Sequence, residues 1–144
     1  MCLKKVINKG IITFTAVALI LSSLVCASAR ASYQLDSYGG NAHAMGNRLM
    51  RFEFHVVGTD IMDEIGATQV AVQEKYYGAW ITVATYDQES NPEIYTTDDY
   101  ILVSHINYYD GIPGTEYRAR VTAYASDYRG SDSRVFYTGS DICQ

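Results

Sequence analysis

Residues 113–124 read Pro-Gly-Thr-Glu-Tyr-Arg-Ala-Arg-Val-Thr-Ala-Tyr, and their spacing decides the fold. From Tyr117 onward the chain alternates strictly. Tyr117, Ala119, Val121 and Ala123 fall on one side; Arg118, Arg120, Thr122 and Tyr124 fall on the other. A period of two sustained over this length is a β-strand with one buried and one wet face. The Pro113-Gly114 pair just ahead of it supplies a turn into the strand.

Working outward, the same period appears in Leu49–Val57, where Met50, Phe52, Phe54 and Val56 share one parity. Gly58–Gly66 breaks the alternation and reads as a loop or short helical turn. Gln69–Glu74 and Trp80–Tyr86 form a hairpin across Lys75-Tyr76-Tyr77-Gly78-Ala79, with Gly78 supplying the left-handed backbone of a tight turn. Asp87–Asp99, acidic and carrying Asn91-Pro92, has no period and reads as an exposed loop. Tyr100–Tyr109 is a strand whose buried face the sequence leaves open. Ser126–Ser131 is a polar turn, and a last strand lies near Arg134–Thr138. Residues 32–47 are small, polar and Gly-rich, with a possible edge strand at Tyr33–Asp36. About seven short strands without a usable helix predict an all-β domain over residues 48–144, a Greek-key β-sandwich of the immunoglobulin kind.

Two resemblances fit this reading. Pro113-Gly114-Thr115-Glu116-Tyr117 and the strand behind it resemble strand F of a fibronectin type III domain with its tyrosine corner. There the phenol ring packs in the core and its hydroxyl returns to the loop backbone. Gly111 departs from that pattern, standing where the family usually has Leu. The second resemblance covers most of residues 32–144. Gly58-Thr59, Met62-Asp63-Glu64-Ile65-Gly66, Val70–Glu74, Gly78-Ala79-Trp80-Ile81-Thr82-Val83 and Tyr117–Arg120 are similar to a family of small secreted bacterial proteins known only as a domain of unknown function. That resemblance implies secretion and a β-sandwich, and it supplies no activity.

The first 31 residues read as a secretory signal. Lys4, Lys5 and Lys9 precede the uncharged apolar run Ile11–Val25, and small-x-small sites follow, with cleavage expected after Ala31. A retained N-terminal anchor and lipidation at Cys26 are the alternatives; the run is short for a membrane span, and Val25 stands where a lipidation site wants a small residue. Residues 32–144 then hold sixteen acidic and seven basic residues, a net charge of −9. Such a balance disfavours nucleic acid and anionic membrane, which need clustered cations. All thirteen Tyr lie in this part, suited either to strands or to contact surfaces. Cys143 is its only thiol, so no internal disulfide can form. On a tail it would be free for intermolecular pairing, or it is a spectator.

Chemistry-bearing patterns are sparse. No Gly-x-Ser-x-Gly, His-Glu-x-x-His or paired-Cys motif occurs, and the adjacent Ser104 and His105 would point to opposite faces of a strand. Neither a catalytic residue nor a cofactor is therefore assigned. His43, His55 and His105 fit no ligand spacing. Asp60, Asp63 and Glu64, and Asp98, Asp99 and Asp110, are loop acids of the type that calcium uses; solvated loop acids are the plainer reading, with a turn or cap role for Asp63. Tyr76, Tyr77 and Trp80, at and just beyond the hairpin tip, are the candidate binding surface, able to stack on a sugar or anchor a protein. The plainer alternative packs Trp80 over the sheet edge. The resulting expectation is a secreted, non-catalytic module binding an extracellular protein, glycan or cell-wall component. A self-associating matrix protein and a small secreted hydrolase using loop acids are the alternatives.

Overall fold

The computed structural model describes residues 33–144, apart from the side chains of residues 107 and 108. The leader, its cleavage site, Cys2 and Cys26 lie outside the described residues. Residues 33–144 form an all-β unit with its own core. The strands are β1 (Leu35–Gly46), β2 (Leu49–Tyr76), β3 (Ala79–Asp87), β4 (Tyr95–Asp110), β5 (Glu116–Asp127), β6 (Gly130–Tyr137) and the short β7 (Asp141–Ile142). One 3-10 turn, Pro92–Ile94, separates β3 from β4. All pairings are antiparallel, and all seven strands belong to a single hydrogen-bonded sheet that curls around the core.

The organising element is β2, whose 28 residues are too many for one straight strand of a small domain. Its first half pairs with β1 on one side and β4 on the other. Beyond a register shift between Val57 and Met62 it continues between β4 and β3 on one side and β5 on the other. Gly58–Gly66 is therefore not the loop that its broken alternation predicts. The shift resets the parity without ending the strand, and bulges act in this way. Gly66 permits the close crossing of β4: its φ is +147°, and a β-carbon there would lie 2.4 Å from the Ile94 carbonyl oxygen.

Two other expectations change. The first strand runs to Gly46 through Gly39-Gly40 instead of ending near Asp36. The acidic loop is shorter, because β4 begins at Tyr95. In β4, Leu102, Ser104 and Ile106 face inward, which resolves the parity left open above. The hairpin matches its prediction, and the turn proper is Tyr77-Gly78, with φ of 48° and 84°.

Curling is completed by the C-terminal segment. On one side Gly139 donates its N–H to the Gly40 carbonyl and accepts from Ala42 N–H; on the other Thr138 N–H bonds to Ala119 and Cys143 N–H to Thr115. Asp141 also accepts from Ala44 N–H at 2.8 Å. The last residues are thus laced between β1 and β5. Inward-facing Met50, Phe52, Phe54 and Val56 meet Tyr117, Ala119, Val121 and Ala123 in one core. Each fully buried Phe contributes about 1.5–3 kcal/mol of transfer free energy.

Candidate functional site

The three aromatics expected to form one surface do not do so. Tyr77 lies in the turn, 92% exposed, and packs edge-on against Tyr76 at 4.5 Å between ring centres. Trp80 pairs with Lys75, and Tyr76 with Ala79. Successive side chains alternate across a sheet, so Tyr76 and Trp80 project to opposite faces of the hairpin. Trp80 is half-buried on the outer face.

There it joins residues that come from distant strands. The Arg118 guanidinium of β5 lies 4.2 Å from the Trp80 ring centre and 4.1 Å from that of Tyr137 on β6. Its Nε donates to Gln73 Oε1 at 2.9 Å, and Gln73, itself buried, turns its amide toward the Thr82 hydroxyl at 3.4 Å. Register accounts for the convergence. Gln73 sits beside Arg118 on one side and Thr82 on the other, and Tyr137 pairs with Arg120. Lys75 Nζ also reaches the Trp80 ring at 5.5 Å. Each contact of this kind is worth about 0.5–1 kcal/mol at an exposed site.

Charge singles the face out further. Among the described residues, Arg48, Arg51, Lys75, Arg129 and Arg134 each pair with a carboxylate. The remaining two of the seven, Arg118 and Arg120, make no ion pair among the described residues. They stand two residues apart on the outer face of one strand. Glu116, next on the same face, is engaged by Lys75 at 2.7 Å and by the Ser140 hydroxyl. The Lys75 hydrogen bond, then that of Ser140, holds its carboxyl below the usual carboxylate range. At this end of the face Lys75, Glu116, Arg118 and Arg120 together leave a positive surplus, in a chain that is otherwise acidic.

No family model and no curated protein matches the chain. The geometry of the face therefore stands alone.

The opposite face of β5 holds the predicted corner. Tyr117 is buried, and its hydroxyl accepts from Ile112 N–H at 3.0 Å and donates to Glu74 Oε2 at 3.3 Å. Cys143 is not on an accessible tail: it is 2% exposed, its carbonyl accepting from Gly114 N–H and its N–H donating to Thr115 in the turn before β5. A β-carbon on Gly111 would lie 2.9 Å from Cys143 Sγ and 3.1 Å from the Tyr117 ring. The thiol fills the place where a side chain at 111 would sit. That packing takes the thiol out of reach of a partner in the folded state.

The acids expected in loops are differently placed. Asp60, Asp63 and Glu64 lie within β2, Asp98 and Asp99 at the start of β4, and Asp110 at its end, beside Arg48 at 3.2 Å. Asp63 is exposed in a strand and makes no cap among the described residues. Among those residues, no group of three or more His, Cys, Asp or Glu stands close enough to hold a metal ion. Sequence reasoning missed Gln73, Arg118, Arg120 and Tyr137. The signal was present in part, because Arg118 and Arg120 share the wet parity of the strand that was read first.

Proposed function

We propose that the chain is a secreted, non-catalytic β-sandwich module of the fibronectin type III kind, which binds a component outside the cell through the outer face of β3, β2, β5 and β6. One observation carries the reading: the two basic residues left without a carboxylate among those described stand side by side on a single face, one of them clamped between two aromatic rings. A guanidinium held in a fixed plane has already lost much of the freedom that binding would cost it, so its remaining donors favour a ligand from outside. Three features support secretion and the sandwich: the basic-apolar-small pattern of residues 1–31, the tyrosine-corner hydrogen bond of Tyr117, and the alternation of β5. Burial of Cys143 withdraws one of the means of the self-associating alternative, whose others are edge strands and tyrosines.

The reading is tested by sedimenting the purified chain with cells and isolated envelopes of its source. Wild type is expected in the pellet, and Arg118→Gln/Arg120→Gln in the supernatant with an unchanged thermal midpoint. Equal partition of the two would overturn the assignment of this face.

A further inference from the structure

We infer that this face takes an extended acidic polypeptide whose alternate carboxylates seat on the guanidinium groups of Arg118 and Arg120. The inference rests on the reading of the face as a binding surface and goes beyond it by naming the chemistry of the occupant.

The first support is the state of Arg118. Of its donors, Nε is committed to Gln73 Oε1; its two terminal nitrogens make no hydrogen bond among the described residues. Nor are they sealed away, because the one buried side-chain polar atom without a partner among those residues is Arg51 Nε. Rings at 4.2 and 4.1 Å and a buried Gln73 fix the plane of the guanidinium. A fork of N–H groups in a fixed plane matches the two oxygens of a carboxylate, and the paired hydrogen bonds are charge-assisted.

The second support is spacing. Arg120 follows on the same face at the pleat repeat, so the two α-carbons stand about 6.6 Å apart. Carboxylates on alternate residues of an extended peptide repeat at the same interval, because the same backbone geometry sets both. Arg120 makes no side-chain hydrogen bond, ion pair or ring contact among the described residues, leaving it available as the second seat.

The third support is the inventory of charge on this face. Its other charged side chains are Lys75, Glu116 and, toward the far end, Asp87 and Glu64, the latter paired with Ser126. Lys75 and Glu116 satisfy one another, and Asp87 is engaged by the Ser90 N–H and hydroxyl at 2.8 Å each. Around Arg118 and Arg120 two positive charges are left over, with Asp87 and Glu64 at the opposite end of the face, and a ligand with two negative ones offsets them there. A sugar ring is the weaker match, because Trp80, the ring that would stack on it, already has Arg118 and Lys75 over it.

The test uses the full chain, in whichever form the host's processing leaves it. Trp80 is the chain's only Trp, so its emission reports on the stack directly; calorimetry provides a second readout. The probes, at low salt, are a heptapeptide alternating Glu and Thr, an isomer with the same residues but the glutamates in a block, a galacturonic acid oligomer, and inorganic phosphate. The alternating peptide is expected to bind at least about fivefold more tightly than its isomer. Arg118→Lys should weaken it about tenfold or more, since an ammonium offers neither the fork nor the stacking plane. Arg120→Gln should weaken it comparably, while Arg134→Gln, whose guanidinium is paired with Asp132, should not. Equal binding of the two isomers would overturn the alternate-carboxylate assignment. Tighter binding of the galacturonate oligomer, or phosphate matching the peptide, would overturn the polypeptide and leave the face intact. Silence from every probe would sink the ligand assignment, and the envelope experiment would then decide the face separately.

Discussion

Tyr117 and Arg118 are neighbours in β5, and each sits in a cluster of rings and polar groups, yet the two clusters are built to opposite ends. Around Tyr117 everything closes: its ring lies 5.5 Å from that of Tyr109, its hydroxyl has two partners, and Cys143 fills the space over Gly111. Around Arg118 the rings hold a cation whose terminal nitrogens are unspent. Strand alternation separates the two by a single residue. Where the polar atoms are satisfied internally, the cluster contributes stability. Where they are held in place but unsatisfied, it offers binding. Substitutions on the two faces should therefore fail in different ways.

The largest effects belong to the closed side. Phe52→Ala and Phe54→Ala should each cost about 3–5 kcal/mol in urea unfolding, because both rings are essentially fully buried and share the core with Tyr117. Against a typical stability of about 5–15 kcal/mol, either change brings the domain near its limit. A wild-type urea midpoint in either variant would mean that β2 is not the wall of the core.

Next comes the Gly111 contact. Gly111→Leu should cost about 1–3 kcal/mol by overpacking against Cys143 Sγ and Tyr117. Adding Cys143→Ala should recover part of that loss, and a double-mutant cycle showing no coupling would refute the shared space. The same packing shields the thiol. A thiol reagent should label Cys143 only in denaturant, and mild oxidation of folded protein should leave monomer on a non-reducing gel. Rapid labelling of the native chain would restore the accessible tail.

These positions also show how far the sequence could be read. The parity of β5, the β2–β3 hairpin and the Tyr117 corner were legible because each is encoded within about a dozen residues. The continuity of β2 was not, since Gly58 to Gly66 loses the period at a register shift and only the strands alongside show that pairing continues. Cys143 was visible as a lone thiol, but its burial depends on a hole left by Gly111, far away in the chain. For the outer face, the parity of Arg118 was legible and its partners were not. Trp80 and Tyr137 reach it through the registers of two other strands. That every other described Lys and Arg but Arg120 pairs with a carboxylate is a property of the whole sheet.

Tyr117→Phe is expected to cost about 1 kcal/mol, the usual net worth of one hydrogen bond, since it removes the acceptor of Ile112 N–H. The hydroxyl also gives the corner a pH signature. Burial pushes Tyr117 and Tyr109 above the usual tyrosine value. An unfolded tyrosine titrates near 10, so above about pH 10 the unfolded chain releases protons that the folded one retains. With fewer protons bound in the unfolded state, stability falls as pH rises through that range. Wild type should lose stability more steeply above pH 10 than Tyr117→Phe, read from urea midpoints. Parallel slopes would contradict the buried hydroxyl.

The smallest effect on stability should come from Arg118→Lys. It keeps the charge and part of the attraction to Trp80 and Tyr137, each contact being worth only about 0.5–1 kcal/mol at an exposed site. What it loses is the planar fork; the ammonium, beside the buried Gln73, can take over donation to its Oε1, and Gln73 keeps its contact with Thr82. The net change in unfolding free energy should stay within about 0.5 kcal/mol, the usual range for surface substitutions. If Arg118 were instead a structural strut, the stack would behave like the corner. Arg118→Lys would then cost as much as Tyr117→Phe, and the loss would appear without any ligand present. A variant with a wild-type urea midpoint that no longer binds the alternating acidic peptide would separate the two faces of β5 most cleanly. A variant that loses stability and binding in proportion would erase the distinction between them.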